Sequence, residues 1–157
     1  MPSHTVHLKN PEATFQAGVF LAENCSLPLF VALNGDLGAG KTALSQGLAR
    51  GFGIQETVLS PTFTLANIYD SPRGTLYHLD IYRLSSLEDV YDLGLEDWMQ
   101  AENTLILVEW QNKFQNWPIP IPVLEIELSH TPPGRSLKVT FPETCQSLES
   151  AFQQWLN

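Results

Sequence analysis

The chain has 157 residues, 43% of them hydrophobic and 16% charged, so it is long enough to bury one core, and we expect a single α/β domain over residues 1–157. Its 17 acidic residues outnumber 8 scattered basic ones, which gives a net charge of −9. Because such a chain is repelled by phosphate backbones and anionic membranes, we expect no membrane contact, and contact with nucleic acid only through a partner.

The N-terminal sequence MPSHTVHLKNPEATF lacks the basic start and the apolar run of a secretion signal. No apolar stretch approaches the length of a membrane span, so we expect a cytoplasmic protein. Cys25 and Cys145 are far apart, without zinc-binding spacing. We therefore expect reduced thiols, and any metal should bind through oxygen.

The first elements predicted are a helix, a strand and a second helix. Asn10 is a suitable N-terminal cap, and proline is tolerated in the first turn at position 11. The helix should run to about Asn24. The apolar run over residues 27–35 is typical of a buried strand that ends in glycine. Residues 41–53 repeat apolar side chains at helical spacing and end in glycine.

Two hairpins are predicted further along the chain. The first covers residues 62–84 around a Ser-Pro-Arg-Gly turn, and the second covers residues 123–141 around Pro-Pro-Gly. Between them, Ser85-Ser86-Leu87-Glu88 matches a capping box, and residues 103–110 form another buried strand. From Thr144 onwards the spacing of apolar residues predicts a final helix.

The glycine-rich stretch GDLGAGKT lies between the first buried strand and the second helix. Glycines let several backbone N–H groups point at one anion, a lysine adds a charge, and a threonine hydroxyl can enter a magnesium shell. The pattern therefore predicts a P-loop NTPase fold with a mixed sheet, flanking helices and two β-hairpins, which binds a nucleoside triphosphate with Mg²⁺. The predicted cofactor-binding residues are Gly35, Asp36, Leu37, Gly38, Ala39, Gly40, Lys41 and Thr42.

Two acidic residues are candidates for the catalytic role beside this loop. Glu109 ends a hydrophobic strand and would hold the metal together with Thr42, because Mg²⁺ prefers carboxylate and hydroxyl oxygens. Asp80 also lies at or near a strand end and would orient the attacking water or support the metal. The alternative for Glu109 is an ordinary acid at a strand end, and the alternative for Asp80 is an exposed acid in a hairpin.

Other residues near these acids allow two interpretations. His78 could carry a proton, but a lone histidine in a strand favours a structural role. Arg83 could neutralise charge in the transition state or pair with Asp80. The aromatic residues Tyr82 and Trp110, like Trp98, are expected in the core rather than at an interface.

The sequence also bears on which nucleotide base is bound and which reaction follows. Asn112-Lys113-Phe114-Gln115 lacks the carboxylate that reads guanine, which favours ATP. With four arginines in the chain, the cluster that clamps two anionic substrates of a small-molecule kinase is not obvious. Three functions remain: an ATPase completed by a partner, a free-standing small-molecule kinase, and a nucleotide-gated binding module without turnover.

Five separate motifs resemble one family. GDLGAGKT, SPTFTL at 60–65, HLDIYRL at 78–84, GLEDW at 94–98 and LVEW at 107–110 occur in the order, and roughly the spacing, of the TsaE (YjeE) family. This family comprises small bacterial P-loop ATPases of tRNA threonylcarbamoyladenosine biosynthesis. One departure is that Glu109-Trp110 is followed by Gln111-Asn112, where many members have Pro or Ala and then an acid.

The resemblance implies particular roles for several residues. Thr42 and Glu109 would hold Mg²⁺, and Asp80 would be important for activity. In SPTFTL, Ser60 and Thr62 would form a switch that senses the terminal phosphate. Pro11, Thr14 and Arg135 would approach ATP from the base side.

The resemblance also implies a partner. Members of the family work with the TsaB-TsaD heterodimer, which transfers a threonylcarbamoyl group to the adenosine beside the anticodon. The ATPase does not perform the transfer, and its hydrolysis is thought to reset the complex between turnovers. An acidic chain without an RNA-binding surface of its own fits this arrangement.

Overall fold

The computed structural model describes residues 1–36 and 40–157, and of Gln111 it describes the backbone only. The described residues form one mixed sheet with helices on both faces. In chain order the elements are β1 (Ser3–Leu8), α1 (Pro11–Asn24), β2 (Leu29–Gly35), α2 (Lys41–Phe52), β3 (Ala66–Ser71), β4 (Gly74–Asp80), α3 (Leu87–Tyr91), α4 (Leu95–Gln100), β5 (Thr104–Glu109), β6 (Val123–Thr131), β7 (Gly134–Thr140) and α5 (Gln146–Trp155).

The strand order across the sheet is β1-β7-β6-β2-β5-β4-β3. The central strands β6, β2, β5 and β4 are parallel to one another, and β1, β7 and β3 pair antiparallel at the two sides. Because parallel strands end at the same edge of a sheet, this order brings the carboxyl ends of β2, β5 and β4 together. The candidate functional site lies at that edge.

Each face of the sheet is covered by a separate apolar cluster. On one face, Leu21 of α1, Leu44 of α2 and Phe152 of α5 pack on strand residues in one cluster. On the other face, Val90 of α3 and Met99 of α4 belong to a second cluster. The alternation along each strand explains the division, since neighbouring side chains point to opposite faces.

The predicted elements are largely confirmed. Asn10 caps α1, with its side-chain oxygen accepting from Ala13 N at 2.8 Å, and both hairpins form where the turn residues placed them. The mixed sheet with flanking helices is also as expected. Among residues 1–36 and 40–157, no helix is long and apolar enough to cross a bilayer. Cys25 and Cys145 are free thiols, and burial raises the pKa of both.

Some expectations were incomplete or wrong. Ser86, not Ser85, caps α3, because its hydroxyl accepts from Asp89 N at 3.2 Å. The edge strand β1 and the short helix α4 were not predicted, since each depends mainly on contacts with distant segments rather than on a long local pattern. Tyr82 is 56% exposed rather than in the core.

Candidate functional site

Three neighbouring parallel strands end at the proposed site. In the register of the sheet, Leu33 of β2 is opposite Glu109 of β5, and Glu109 is opposite Asp80 of β4. Asp80 and Glu109 are the last residues of their strands, as the sequence predicted, and they are only 7% and 6% exposed. The fold therefore places two buried carboxyl groups side by side.

The glycine-rich segment joins β2 to α2 beside these acids. A Cβ on Gly35 would lie 2.6 Å from the carbonyl oxygen of Leu128, so the close approach of β2 and β6 there requires glycine. Gly40 has a φ of +105°, in the left-handed region, and directly precedes Lys41 at the start of α2. The predicted binding residues Leu37, Gly38 and Ala39 lie outside the described residues.

Lys41, at the start of α2, lies near the acidic pair. Its Nζ donates hydrogen bonds to the carbonyl oxygens of Gly35 at 2.5 Å and Asp36 at 3.3 Å, and it lies 3.8 Å from the ring centre of Trp110. Burial lowers the pKa of Lys41, and the negative charges of Glu109, Asp80 and Asp36 partly oppose this effect. Lys41 is thus held at the edge where an anion would bind.

A cavity of about 310 Å³ brings most of the predicted site residues together. It includes Thr42, the predicted metal ligand at the start of α2, and both candidate catalytic acids. Its walls are formed by Asp36, Gly40, Lys41, Thr42, Ser60, Thr62, Asp80, Glu109 and Trp110.

The two predicted switch residues, Ser60 and Thr62, are connected to the strand-end acids through Asp80. Thr62 Oγ1 donates to Asp80 Oδ2 at 3.2 Å, and the Ser60 and Thr62 hydroxyl oxygens are 2.7 Å apart. The other oxygen, Asp80 Oδ1, accepts from Tyr82 N at 3.0 Å. Asp80 therefore fixes the loop over residues 60–65, which the sequence analysis linked to phosphate sensing only through resemblance.

Arg83 does not join this network. Its guanidinium lies over the ring of Phe63, 5.0 Å from the ring centre, and the described residues contain no ion pair between Arg83 and Asp80. Arg83 therefore does not pair with Asp80 in this structure. It contacts the loop over residues 60–65 through Phe63 instead.

Glu109 makes a short contact with a histidine. His78 Nε2 and Glu109 Oε2 are 2.6 Å apart, and His78 is 1% exposed. A lone histidine in a strand favours a structural role, and the contact of His78 with Glu109 is an addition to the roles expected from the sequence. Part of the signal was present in the sequence. His78 and Asp80 are two residues apart in β4, so they lie on the same face of the sheet, and Glu109 of β5 lies on that face as well.

A second cavity, of about 330 Å³, adjoins the first at Gly40. It is lined by Pro11 and Thr14 of α1 and by Arg135 of β7, the three residues expected on the base side. The topology explains this meeting, since Leu8 at the end of β1 pairs with Arg135 and α1 begins shortly afterwards. Thr14 is 1% exposed, and its hydroxyl lies 3.4 Å from the carbonyl oxygen of Asn10.

The residues of the first cavity fit Mg²⁺. Their donors are the carboxyl oxygens of Asp80 and Glu109 and the hydroxyl of Thr42, all hard oxygen ligands. Within residues 1–36 and 40–157, no cluster of three or more His, Cys, Asp or Glu could form an all-protein cage. Mg²⁺ does not need such a cage, because it commonly binds one or two carboxylates together with substrate phosphates.

Trp110 is another residue whose position the sequence did not predict. It is half-buried, packs against the second apolar cluster, has a φ of +67° and also lies beside Lys41. Its backbone N–H donates to Leu33 O at 3.0 Å, which continues the alignment of β5 with β2 beyond Glu109. The next segment is also tied to β2, because Asn112 N donates to Asn34 Oδ1 at 3.0 Å.

Removal of the Asp80 carboxylate should loosen the 60–65 loop. In Asp80→Ala, Thr62 and Tyr82 N lose their shared acceptor, so we expect faster amide hydrogen exchange over residues 60–65 than in the wild type. Asp70→Ala is the control, because Asp70 is exposed and accepts a hydrogen bond from Thr75 within the outer hairpin. Equal exchange of this loop in the wild type and Asp80→Ala would contradict the anchoring role.

Comparisons with known proteins agree with this geometry. The family model described as "Threonylcarbamoyl adenosine biosynthesis protein TsaE" matches residues 8–137. A relative from Synechocystis sp., named tRNA threonylcarbamoyladenosine biosynthesis protein TsaE, is 45% identical over 114 residues, which are 71% of this chain and 72% of the relative. A relative of the same name from Rickettsia prowazekii is 39% identical over 126 residues, 80% of this chain and 84% of the relative.

A solved structure extends the likeness to almost the whole fold. YdiB from Bacillus subtilis superposes with a TM-score of 0.79 at 27% sequence identity, covering 99% of this chain and 97% of that one. The sheet, the strand-end acids and the helix that follows the glycine-rich segment are those of a P-loop NTPase fold. This chain belongs to the TsaE family, which is involved in tRNA threonylcarbamoyladenosine biosynthesis.

Proposed function

We propose that this chain binds ATP with Mg²⁺, hydrolyses it slowly when alone, and acts as a partner-activated switch on the TsaB-TsaD heterodimer. The observation that carries the proposal is the single cavity that contains Lys41, Thr42, Asp80 and Glu109. A cation, a hydroxyl and two carboxyl groups at one edge are the groups needed to hold a phosphate chain and its metal.

In this proposal each residue has a separate task. The amide groups at the start of α2 and the Lys41 ammonium bind the phosphates, since a helix N-terminus favours anions. Thr42 and Glu109 would hold Mg²⁺, which when bound would neutralise charge on the phosphates. Asp80 would orient the attacking water through a carboxyl oxygen, since each oxygen can accept a second hydrogen bond besides the one from Thr62 or Tyr82 N.

The base-side cavity supports a nucleoside rather than a bare polyphosphate. It continues from the phosphate side at Gly40 and has Pro11, Thr14 and Arg135 in its walls. Its volume of about 330 Å³ is in the range of small-ligand pockets. We propose that the base and ribose lie there, with Pro11 and Arg135 on either side of the approach.

Two features support an ATPase that depends on a partner. Arg83, the arginine nearest to the catalytic acids in sequence, lies over Phe63 instead of facing Asp80. Phe63 on the same loop is 84% exposed, Leu59 directly before the loop is 65% exposed, and Tyr82 beside Asp80 is 56% exposed. A partner that covers these side chains would contact the loop whose Thr62 is hydrogen-bonded to Asp80, and so could change the rate of hydrolysis.

The tRNA would be reached only through the partners. A net charge of −9 opposes direct binding to a phosphate backbone. Lys113, a cation beside the exposed Tyr82, donates hydrogen bonds to the carbonyl oxygens of Tyr82 and Leu84. We therefore assign the threonylcarbamoyl transfer to the partner complex and the nucleotide cycle to this chain.

Phosphate release from Mg-ATP tests the proposal directly. The purified chain is assayed alone and with a purified TsaB-TsaD complex, and we expect slow release that the complex accelerates. Turnover that the complex does not change would contradict the switch. Transfer of phosphate to an added small acceptor without protein partners would instead support a small-molecule kinase, and binding without turnover would support a nucleotide-gated module.

The acceleration should depend on the exposed loop. In Phe63→Ser we expect the basal rate to stay within about twofold of the wild type and the stimulation by TsaB-TsaD to fall severalfold, because Phe63 is exposed. Ile68→Ser is the matched control, since Ile68 is exposed on β3 outside the loop. Full stimulation of Phe63→Ser would exclude this loop as the partner contact.

Lys41 should be required for nucleotide binding. In Lys41→Ala we expect the affinity for Mg-ATP, measured by isothermal titration calorimetry, to fall at least about tenfold, because a charge-assisted bond to phosphate is lost. Lys138→Ala removes the same charge from an exposed position on β7 and should bind like the wild type. An equal loss of affinity in both variants would mean that only net charge matters.

A further inference from the structure

We infer that His78 is a positioning residue that holds the metal-binding carboxylate of Glu109 through its Nε2–H group. The inference rests on the proposed function, since it concerns the Mg²⁺ that Glu109 and Thr42 would hold. It starts from the contact of 2.6 Å between His78 Nε2 and Glu109 Oε2, the shorter of the two histidine–carboxylate contacts among the described residues.

The contact defines which atoms do what. A carboxylate that binds a metal is ionised and can only accept hydrogen bonds, so His78 Nε2 is the donor. This bond occupies Oε2, and Oε1 has no hydrogen bond within the described part of the chain. His78 therefore leaves one oxygen of Glu109 for the metal and fixes the torsion that aims it.

The backbone makes the arrangement rigid. His78 and Glu109 come from adjacent parallel strands, with His78 opposite Leu107 and Asp80 opposite Glu109. His78 and Glu109 are 1% and 6% exposed, so water competes little for their bond. The ladder fixes the two backbone positions, so the bond can lengthen only by rotation of the buried side chains.

A purely structural role explains the residue less well. Two of the positions next to His78 on this face of the sheet are leucines, Leu76 of β4 and Leu107 of β5, both in the same apolar cluster, and the other two are Asp80 of β4 and Asn67 of β3. His78 Nδ1, by contrast, is buried without a hydrogen-bond partner among the described residues. An unpartnered buried polar atom destabilises a fold, so a leucine would serve packing better. The imidazole is accounted for by its bond to Glu109.

The test separates nucleotide binding from metal dependence. Binding of a fluorescent ADP analogue is measured in EDTA and then at rising Mg²⁺ concentration, for the wild type, His78→Leu and His78→Gln. Leu fills the site without a donor, whereas the amide nitrogen of Gln reaches about as far as Nε2. Mn²⁺ binding in the presence of ADP, followed by electron paramagnetic resonance, gives a readout of the metal itself.

We expect the affinity of His78→Leu for the analogue in EDTA to stay within about twofold of that of the wild type. The variant should need an Mg²⁺ or Mn²⁺ concentration about tenfold higher for the same metal binding, as is typical when a hydrogen-bond partner of a metal ligand is removed. His78→Gln should recover most of the loss. Wild-type metal dependence in His78→Leu, or an equal loss in His78→Gln, would overturn the inference. Should His78→Leu fail to fold, His78→Asn replaces it, because its shorter amide does not reach Glu109.

Failure of the proposed function gives a different result. A wild-type chain that does not bind the analogue, or binds it equally with and without Mg²⁺, would overturn the proposed function and this inference together. A wild type that responds to Mg²⁺ and variants that match it would overturn the inference alone. A matching fall of affinity in EDTA for both variants would show that His78 shapes the nucleotide pocket instead.

Discussion

The burial of two carboxyl groups side by side is the constraint on which the site depends. Asp80 and Glu109 end adjacent parallel strands and are both more than nine-tenths buried, so desolvation and mutual repulsion would destabilise them without partners. The surroundings supply those partners: Thr62 and Tyr82 N for Asp80, and His78 for Glu109. Lys41 adds a positive charge between the glycine-rich segment and the acids.

The same constraint connects the site with the surface. The bond from Thr62 to Asp80 fixes the loop over residues 60–65, and the side chains of Phe63 on this loop and Leu59 directly before it are exposed. A change at Asp80 therefore alters the position of apolar groups that a partner could cover, and a partner could alter Asp80 in return. The base-side cavity belongs to the other end of the site, where β1, β7 and α1 meet.

Much of this arrangement could be predicted from the sequence, and the reasons differ by element. The apolar runs of β2 and β5, the cap at Asn10 and the turn residues of both hairpins are local signals, and each was confirmed. The positions of Asp80 and Glu109 at the ends of their strands followed from these predicted elements. The sequence shows that His78 shares a face of β4 with Asp80, but the bond of His78 to Glu109 also depends on the register between β4 and β5. The position of Trp110 beside Lys41 depends on a left-handed residue after β5 and could not be predicted.

A crystal structure of the chain with Mg²⁺ and a non-hydrolysable ATP analogue tests the central claim most directly. The account predicts the phosphates at the amide groups of Gly40, Lys41 and Thr42, with the base against Pro11, Thr14 and Arg135. It also predicts Mg²⁺ bound to the Thr42 hydroxyl, at about 2.1 Å, and to Glu109 directly or through water. Phosphates bound away from the start of α2, or a metal held without Thr42 and Glu109, would contradict it.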